Sequence, residues 1–227
     1  DRPTDLPTEL GFTGSQRFYE SDGTLARGKF LSAFLENVGV STKMSRTTNY
    51  SSDDLNLSTI AAQSNSYGGY FISLHSNGAN NSANYVISEY CGTRSSNSTE
   101  KVSGSKKFAY TAAVQHDKNR LTDVTYSTPR AINDYAFNGW NLGVLRTNTQ
   151  VGYLVESWFH DYRPETLRMK GDAYNRYLAW QLARAYMEYP KGNASGIKGC
   201  VVGDIRNTSK GCGYSKYTHR NRDSYLA

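Results

Sequence analysis

Two stretches decide the fold: Tyr70-Phe71-Ile72-Ser73-Leu74-His75, and Tyr153-Leu154-Val155-Glu156-Ser157-Trp158-Phe159. Each is a short apolar run bounded by glycine, the pattern of a buried strand. Each also brings an ionisable residue, His75 or Glu156, to the end of its apolar part. Between and around them the spacing changes to that of helices. Leu31, Phe34, Leu35 and Val38 recur at helical intervals before Gly39, and Leu57, Ile60, Ala61 and Ser64 do so more weakly before Gly68-Gly69. Residues 165–189 carry the clearest helical face, with Tyr174, Leu178, Leu182, Ala185 and Tyr189 on one side and Pro190 as the stop. Ser52-Asp53-Asp54 is a helix N-cap signal.

Val40 to Arg46, Asn84 to Tyr90 and Leu142 to Arg146 read as further strands, with Thr147 to Gln150 joining the last to the strand that ends in Glu156. Residues 99–120 read as a polar helix, and residues 1–19 and 121–141 as loops. Helices alternating with short apolar strands predict an α/β domain with a mostly parallel central sheet flanked by helices. One such domain fits residues 1–190 of the 227. Residues 191–227 read as a linker followed by one strand and a polar remainder too small to close a core of its own.

Charge narrows the function. The chain has 26 Lys plus Arg against 20 Asp plus Glu, and 18 Tyr, which invites a nucleic-acid reading. Seven of those bases and two of the acids fall in residues 191–227, so residues 1–190 hold nineteen bases and eighteen acids. The body is nearly neutral, and no nucleic-acid partner is expected. No apolar run approaches the roughly 18 residues of a membrane span, and residues 1–30 lack the features of a signal peptide. Cys91, Cys200 and Cys212 show no zinc-ribbon pairing, though the last two could bridge each other. Phosphate-loop, dinucleotide, serine-hydrolase elbow and H-E-x-x-H motifs are all missing.

Ligands in open α/β sheets collect at the carboxyl ends of strands, where His75 and Glu156 stand. Read singly, His75 is open to a structural role, bonded to backbone, and Glu156 to an ion pair with Arg146. In an extended strand His160 would share a face with Glu156 and could bond it or serve as a ligand.

The ordered set of motifs resembles one family. Ile72-Ser73-Leu74-His75-Ser76-Asn77 is similar to the S-[IL]-H-[AS]-N element of zinc-dependent N-acetylmuramoyl-L-alanine amidases, which are peptidoglycan hydrolases. Glu20 opens the first helix as that family's metal-binding Glu does. Met44-Ser45-Arg46-Thr47-Thr48-Asn49 resembles its [LM]-[ST]-R-x-x-[DN], and Tyr153-Leu154-Val155-Glu156 its P-x-x-L-x-E strand, with Gly152 near the usual Pro. Ser157-Trp158-Phe159-His160-Asp161-Tyr162 is similar to the continuation in a Bacteroidota-type subgroup. The likeness spans about residues 10–189.

Two features depart from it. The family's opening D-P-G-H-G, which supplies the first zinc histidine, occurs nowhere in the chain, as expected if the sequence begins after that motif. Leu57-Ser58 stands where the family carries an Arg. At the other end, Gly199-Cys200-Val201-Val202-Gly203-Asp204 resembles the opening strand of a carboxypeptidase-regulatory-like β-sandwich module.

The resemblance implies zinc held by Glu20, His75 and a third ligand absent from this chain, since catalytic zinc commonly takes three protein ligands and keeps one position open. It implies Glu156 as general base in cleaving the amide between N-acetylmuramic acid and L-alanine. The implied partner is peptidoglycan or muramyl peptides, the implied location the cell envelope or outside the cell, and the expected state a monomer without membrane insertion. A non-catalytic peptidoglycan-binding domain on the same scaffold, and a zinc peptidase acting on stem peptides, are the competing readings.

Overall fold

The computed structural model describes residues 18–79, 81–93, 99–125 and 130–189. The linker and module expected over 191–227, and most of the loop expected over 1–19, lie outside the described residues. In chain order the elements are α1 (Glu20–Glu36), a 3-10 turn (Ser51–Asp53), α2 (Leu57–Tyr67), β1 (Phe71–Asn77), β2 (Ile87–Tyr90), α3 (Ser105–Lys118) and β3 (Arg130–Asn133). They continue with α4 (Asp134–Asn138), α5 (Gly143–Arg146), β4 (Gly152–Phe159), α6 (Arg163–Lys170) and α7 (Asp172–Glu188).

The four strands form one sheet in the order β1-β4-β2-β3. The β1–β4 and β2–β3 ladders are parallel, and the β2–β4 ladder is antiparallel. The α/β architecture is as expected, with a mixed sheet. One face carries the main core: Tyr153 and Val155 of β4 join Phe108, Ala109 and Ala112 of α3, Leu178 and Leu182 of α7, and Leu31 and Leu35 of α1. The opposite face carries a smaller cluster of Cys91, Val144, Leu145 and Leu154. Alternation along β4 therefore sends Tyr153 and Val155 one way and Leu154 and Glu156 the other. Gly152 is required where it stands, because a Cβ there would lie 2.6 Å from the Phe71 carbonyl oxygen of β1.

Several elements differ from the sequence reading, each for a local reason. Val40 to Arg46 joins no strand: a cleft of about 610 Å³ separates it from the outer edge of β1, so its backbone has no ladder to enter. Leu142 to Arg146 contains the short helix α5 instead of a strand, which buries Val144 and Leu145 against the smaller cluster. An apolar run this short fits either period. The loop expected over 121–141 contains β3 and α4; β3 is a four-residue edge strand paired to β2 alone. The helix expected over 165–189 is two helices, parted where Gly171 is extended (φ −89°, ψ 137°). The second helix starts at Leu57, later than Ser52-Asp53-Asp54 suggested, because Asn56 is the residue whose side chain accepts the Thr59 N–H, at 2.8 Å. The strand expected from Asn84 is shortened to Ile87–Tyr90, and the helix expected over 99–120 to Ser105–Lys118.

Candidate active site

The β1–β4 ladder pairs His75 with Glu156, and the β4–β2 ladder pairs Glu156 with Ile87. The first turn of α1 brings Glu20 to the same place. Its Oε1 lies 3.1 Å from His75 Nδ1 and accepts the Ser76 N–H at 3.0 Å. A carboxylate at a helix N-terminus is also favoured by the helix dipole. The fold thus brings together all three residues that the motifs single out.

Beneath them Arg27, 0% exposed, donates from Nη1 to the His75 carbonyl at 3.1 Å and from Nε to the Gly23 carbonyl at 3.4 Å. It fastens α1 to the end of β1. Arg46 closes the other side, donating to the Ser21 carbonyl at 2.8 Å and the Thr24 hydroxyl at 3.0 Å. Glu20, Arg46 and His75 all line the cleft along β1.

The electrostatics separate the two acids. Burial pushes Glu20 up, but the His75 bond, the His75 charge and the Ser76 N–H outweigh it, and its pKa ends below 4.5. For Glu156 burial prevails: its pKa rises to about 7, with the Glu20 charge adding to the rise and His75 and Arg27 opposing it. Burial lowers the His75 pKa, yet the Glu20 bond and the Glu156 charge carry it above 6.5. Oε2 of Glu156 is buried without a hydrogen-bond partner. A lone buried carboxylate oxygen is costly unless a partner bonds it, although Glu156, unlike Glu20 and His75, does not line the cleft along β1.

Other expectations are redirected. Arg146 closes a helix turn, not a strand, and is exposed; the charged groups that act on Glu156 are His75, Glu20 and Arg27. His160 donates from Nδ1 to the Ser76 carbonyl at 2.8 Å. It does not continue the alternation from Glu156, because β4 ends at Phe159 and Trp158 adopts φ 67°. The sequence reading missed Glu89 of β2, buried on the Glu156 side of the sheet with Oε2 2.6 Å from Asn138 Nδ2. Burial lifts its pKa to about 7 against the Asn138 bond, helped by the Glu156 and Asp134 charges. An acid inside Ile87-Ser88-Glu89-Tyr90 was its only signal.

A family profile described as N-acetylmuramoyl-L-alanine amidase matches residues 7–187. The chain belongs to the Amidase_3 family. Solved amidase structures share its fold. The N-acetylmuramoyl-L-alanine amidase from Clostridium difficile 630 is 20% identical, with 80% of this chain and 89% of that one covered at a TM-score of 0.65. AmiC2 of Nostoc punctiforme is 20% identical over 78% of this chain and 86% of that one, at 0.61. The catalytic domain of CwlV from Bacillus (Paenibacillus) polymyxa var. colistinus is 19% identical over 77% and 87%, at 0.59. No curated protein sequence matches the chain. Membership in Amidase_3 gives the reaction class, an amidase acting on cell-wall peptidoglycan.

The residues present fit zinc as two of its ligands. The 3.1 Å between Glu20 Oε1 and His75 Nδ1 is close to the roughly 3.3 Å expected between two donors on one tetrahedral zinc with bonds of about 2.0–2.1 Å. Oxygen and imidazole nitrogen are donors that zinc accepts. Among the described residues no third His, Cys, Asp or Glu joins them in metal-ligand geometry.

Proposed function

We propose that this domain is a zinc-dependent hydrolase of the amide between N-acetylmuramic acid and L-alanine, with Glu20 and His75 as two zinc ligands and Glu156 as general base. The observation that carries this reading is the Glu20–His75 pair set against a half-buried Glu156 whose buried Oε2 has no partner. Zinc, when bound, supplies a Lewis acid for the scissile carbonyl and for the attacking water.

The remaining roles fall to side chains. Glu20 is anionic, and the Ser76 N–H anchors its carboxylate beside the His75 ring. Arg27 holds the His75 backbone from below, so the imidazole has a fixed base. Glu156, with a pKa near 7, takes a proton from water and returns it to the departing alanine amine, the match between pKa and working pH that general acid–base catalysis favours. Glu20 and His75 line the cleft beside β1, the place where the substrate would meet them. Action at the cell envelope or outside the cell follows from that substrate. No helix among the described residues is long and apolar enough to cross a membrane, and a monomer suffices for the chemistry.

A second reading, a non-catalytic peptidoglycan binder on the same scaffold, makes the opposite prediction. Chelation and zinc readdition on the full chain discriminate. The hydrolase reading expects new alanine amines from a muramyl peptide only in the zinc-loaded protein. Peptidoglycan retention with no zinc uptake and no amine release would support the binder.

A further inference from the structure

Immediately after Glu156 the β1–β4 ladder loses its regular register. The step from His75 to Asn77 on β1 spans two residues, while the matching step from Glu156 to Phe159 on β4 spans three. The extra residue makes a bulge, and within it Trp158 sits at φ 67°, a left-handed conformation that a bulky side chain adopts only under constraint. Trp158 is nearly fully buried, and its Nε1 has no hydrogen-bond partner. The surroundings therefore enforce this backbone, and its own side chain gains no hydrogen bond from it.

The constraint comes from the core face. His116 of α3 is 0% exposed and lies between two polar side chains. One ring nitrogen, Nδ1, meets Gln181 Oε1 of α7, and the other, Nε2, is 3.0 Å from Ser157 Oγ. Gln181 donates from Nε2 to the Asn119 carbonyl at 2.8 Å, which fixes its Oε1 as an acceptor. His116 must then carry its proton on Nδ1, and Nε2 accepts from the Ser157 hydroxyl. Each bond in the chain has one direction. Burial drives the His116 pKa down to about 4 against the Gln181 bond, so the ring stays neutral and the directions hold across the physiological range.

We propose that Ser157 and His116 are positioning residues for Glu156: the chain Gln181–His116–Ser157 clamps the bulge of β4 and thereby aims the Glu156 carboxylate. Neighbouring strand residues point to opposite faces, so a hydrogen bond that pins Ser157 toward α3 and α7 pins the rotation of the strand that turns Glu156 toward His75. Apolar side chains would fill the same layer more cheaply, and a directional polar chain there specifies one backbone conformation. The proposal rests on the reading of Glu156 as general base.

The test compares Ser157→Ala with Ser157→Thr in the full chain, with Met187→Ala as a core variant away from the bulge. Each is checked for a cooperative melt and for zinc content. Two readouts follow: turnover of a muramyl peptide, and the side-chain carboxyl 13C resonance of Glu156, assigned with Glu156→Gln. The expected result for Ser157→Ala is a kcat lower by about tenfold to a hundredfold with KM and zinc content unchanged, and a displaced Glu156 resonance. Ser157→Thr restores both, and Met187→Ala disturbs neither. Should Ser157→Ala fail to fold, Ser157→Cys, of similar size and with a weak donor, is read the same way. A folded variant with an unmoved Glu156 resonance would overturn the clamp whether or not the protein turns over. A wild-type protein without amidase activity but with the resonance displaced in Ser157→Ala would count against the catalytic reading alone.

Discussion

His75 and Glu156 stand opposite each other in the parallel ladder between β1 and β4, so residues 81 positions apart in the chain share one face at one level of the sheet. Glu20 closes the group from the first turn of α1. What separates their roles is solvation and bonding. Glu20 is held ionised by His75 and Ser76, whereas burial leaves Glu156 ready to exchange a proton near pH 7.

Replacing Glu156 with Gln would remove the proposed base and keep the shape. The expected outcome is a kcat lower by about 10²- to 10⁴-fold with zinc content unchanged. Steady-state kinetics alongside elemental analysis checks it, and a zinc-loaded variant that cleaves at the normal rate would remove the assignment.

If Glu20 and His75 are the zinc ligands proposed, substituting Ala for either should weaken zinc binding by more than about a hundredfold. Competition with a chromogenic chelator measures this. The same assay should show wild-type affinity declining as pH falls, beginning above pH 6.5, because the His75 pKa is raised and the ring must be neutral to bind metal. An affinity insensitive to both substitutions would place the metal elsewhere.

Glu89 is nearly fully buried, and its pKa is raised from 4.5 to about 7. Between those values the folded protein holds a proton that the unfolded chain has released. This contribution to stability is therefore complete below pH 4.5 and is lost as pH rises through about 7. Glu89→Gln should be more stable than wild type at pH 8 by about 1–3 kcal/mol, with little difference at pH 4. Denaturant melts at the two pH values decide it, and an equal difference at both would show that folding does not raise the Glu89 pKa.

Leu178 of α7 belongs to the main core and has no exposed surface. Leu178→Ala should cost about 2–5 kcal/mol of folding stability. A loss under 1 kcal/mol, roughly that of a conservative swap, would mean that this layer is not packed as described.

How far the sequence could be read depended on how local each feature is. β1, β4 and α7 were legible because their periods persist over enough residues, and Pro190 and the glycines mark their ends. Glu20, His75 and Glu156 were legible through motif order. The register that makes them neighbours is a non-local pairing and left no trace in either strand alone. α5 and β3 are four residues each, too short for a period to show, and their state is set by what they pack on. Val40 to Arg46 has the composition of a strand, but a strand also needs an edge within reach. His116 looked unremarkable in sequence because its partners, Gln181 and Ser157, come from other elements 65 and 41 residues away.

Mass analysis of the fragments that the zinc-loaded full chain releases from purified peptidoglycan shows directly which bond is broken. Cleavage by an amidase releases stem peptides beginning with a free L-alanine amine and leaves glycan strands that retain the lactyl acid. Fragments cut within the stem peptide, or no fragments from a protein shown to hold zinc, would contradict the proposed function.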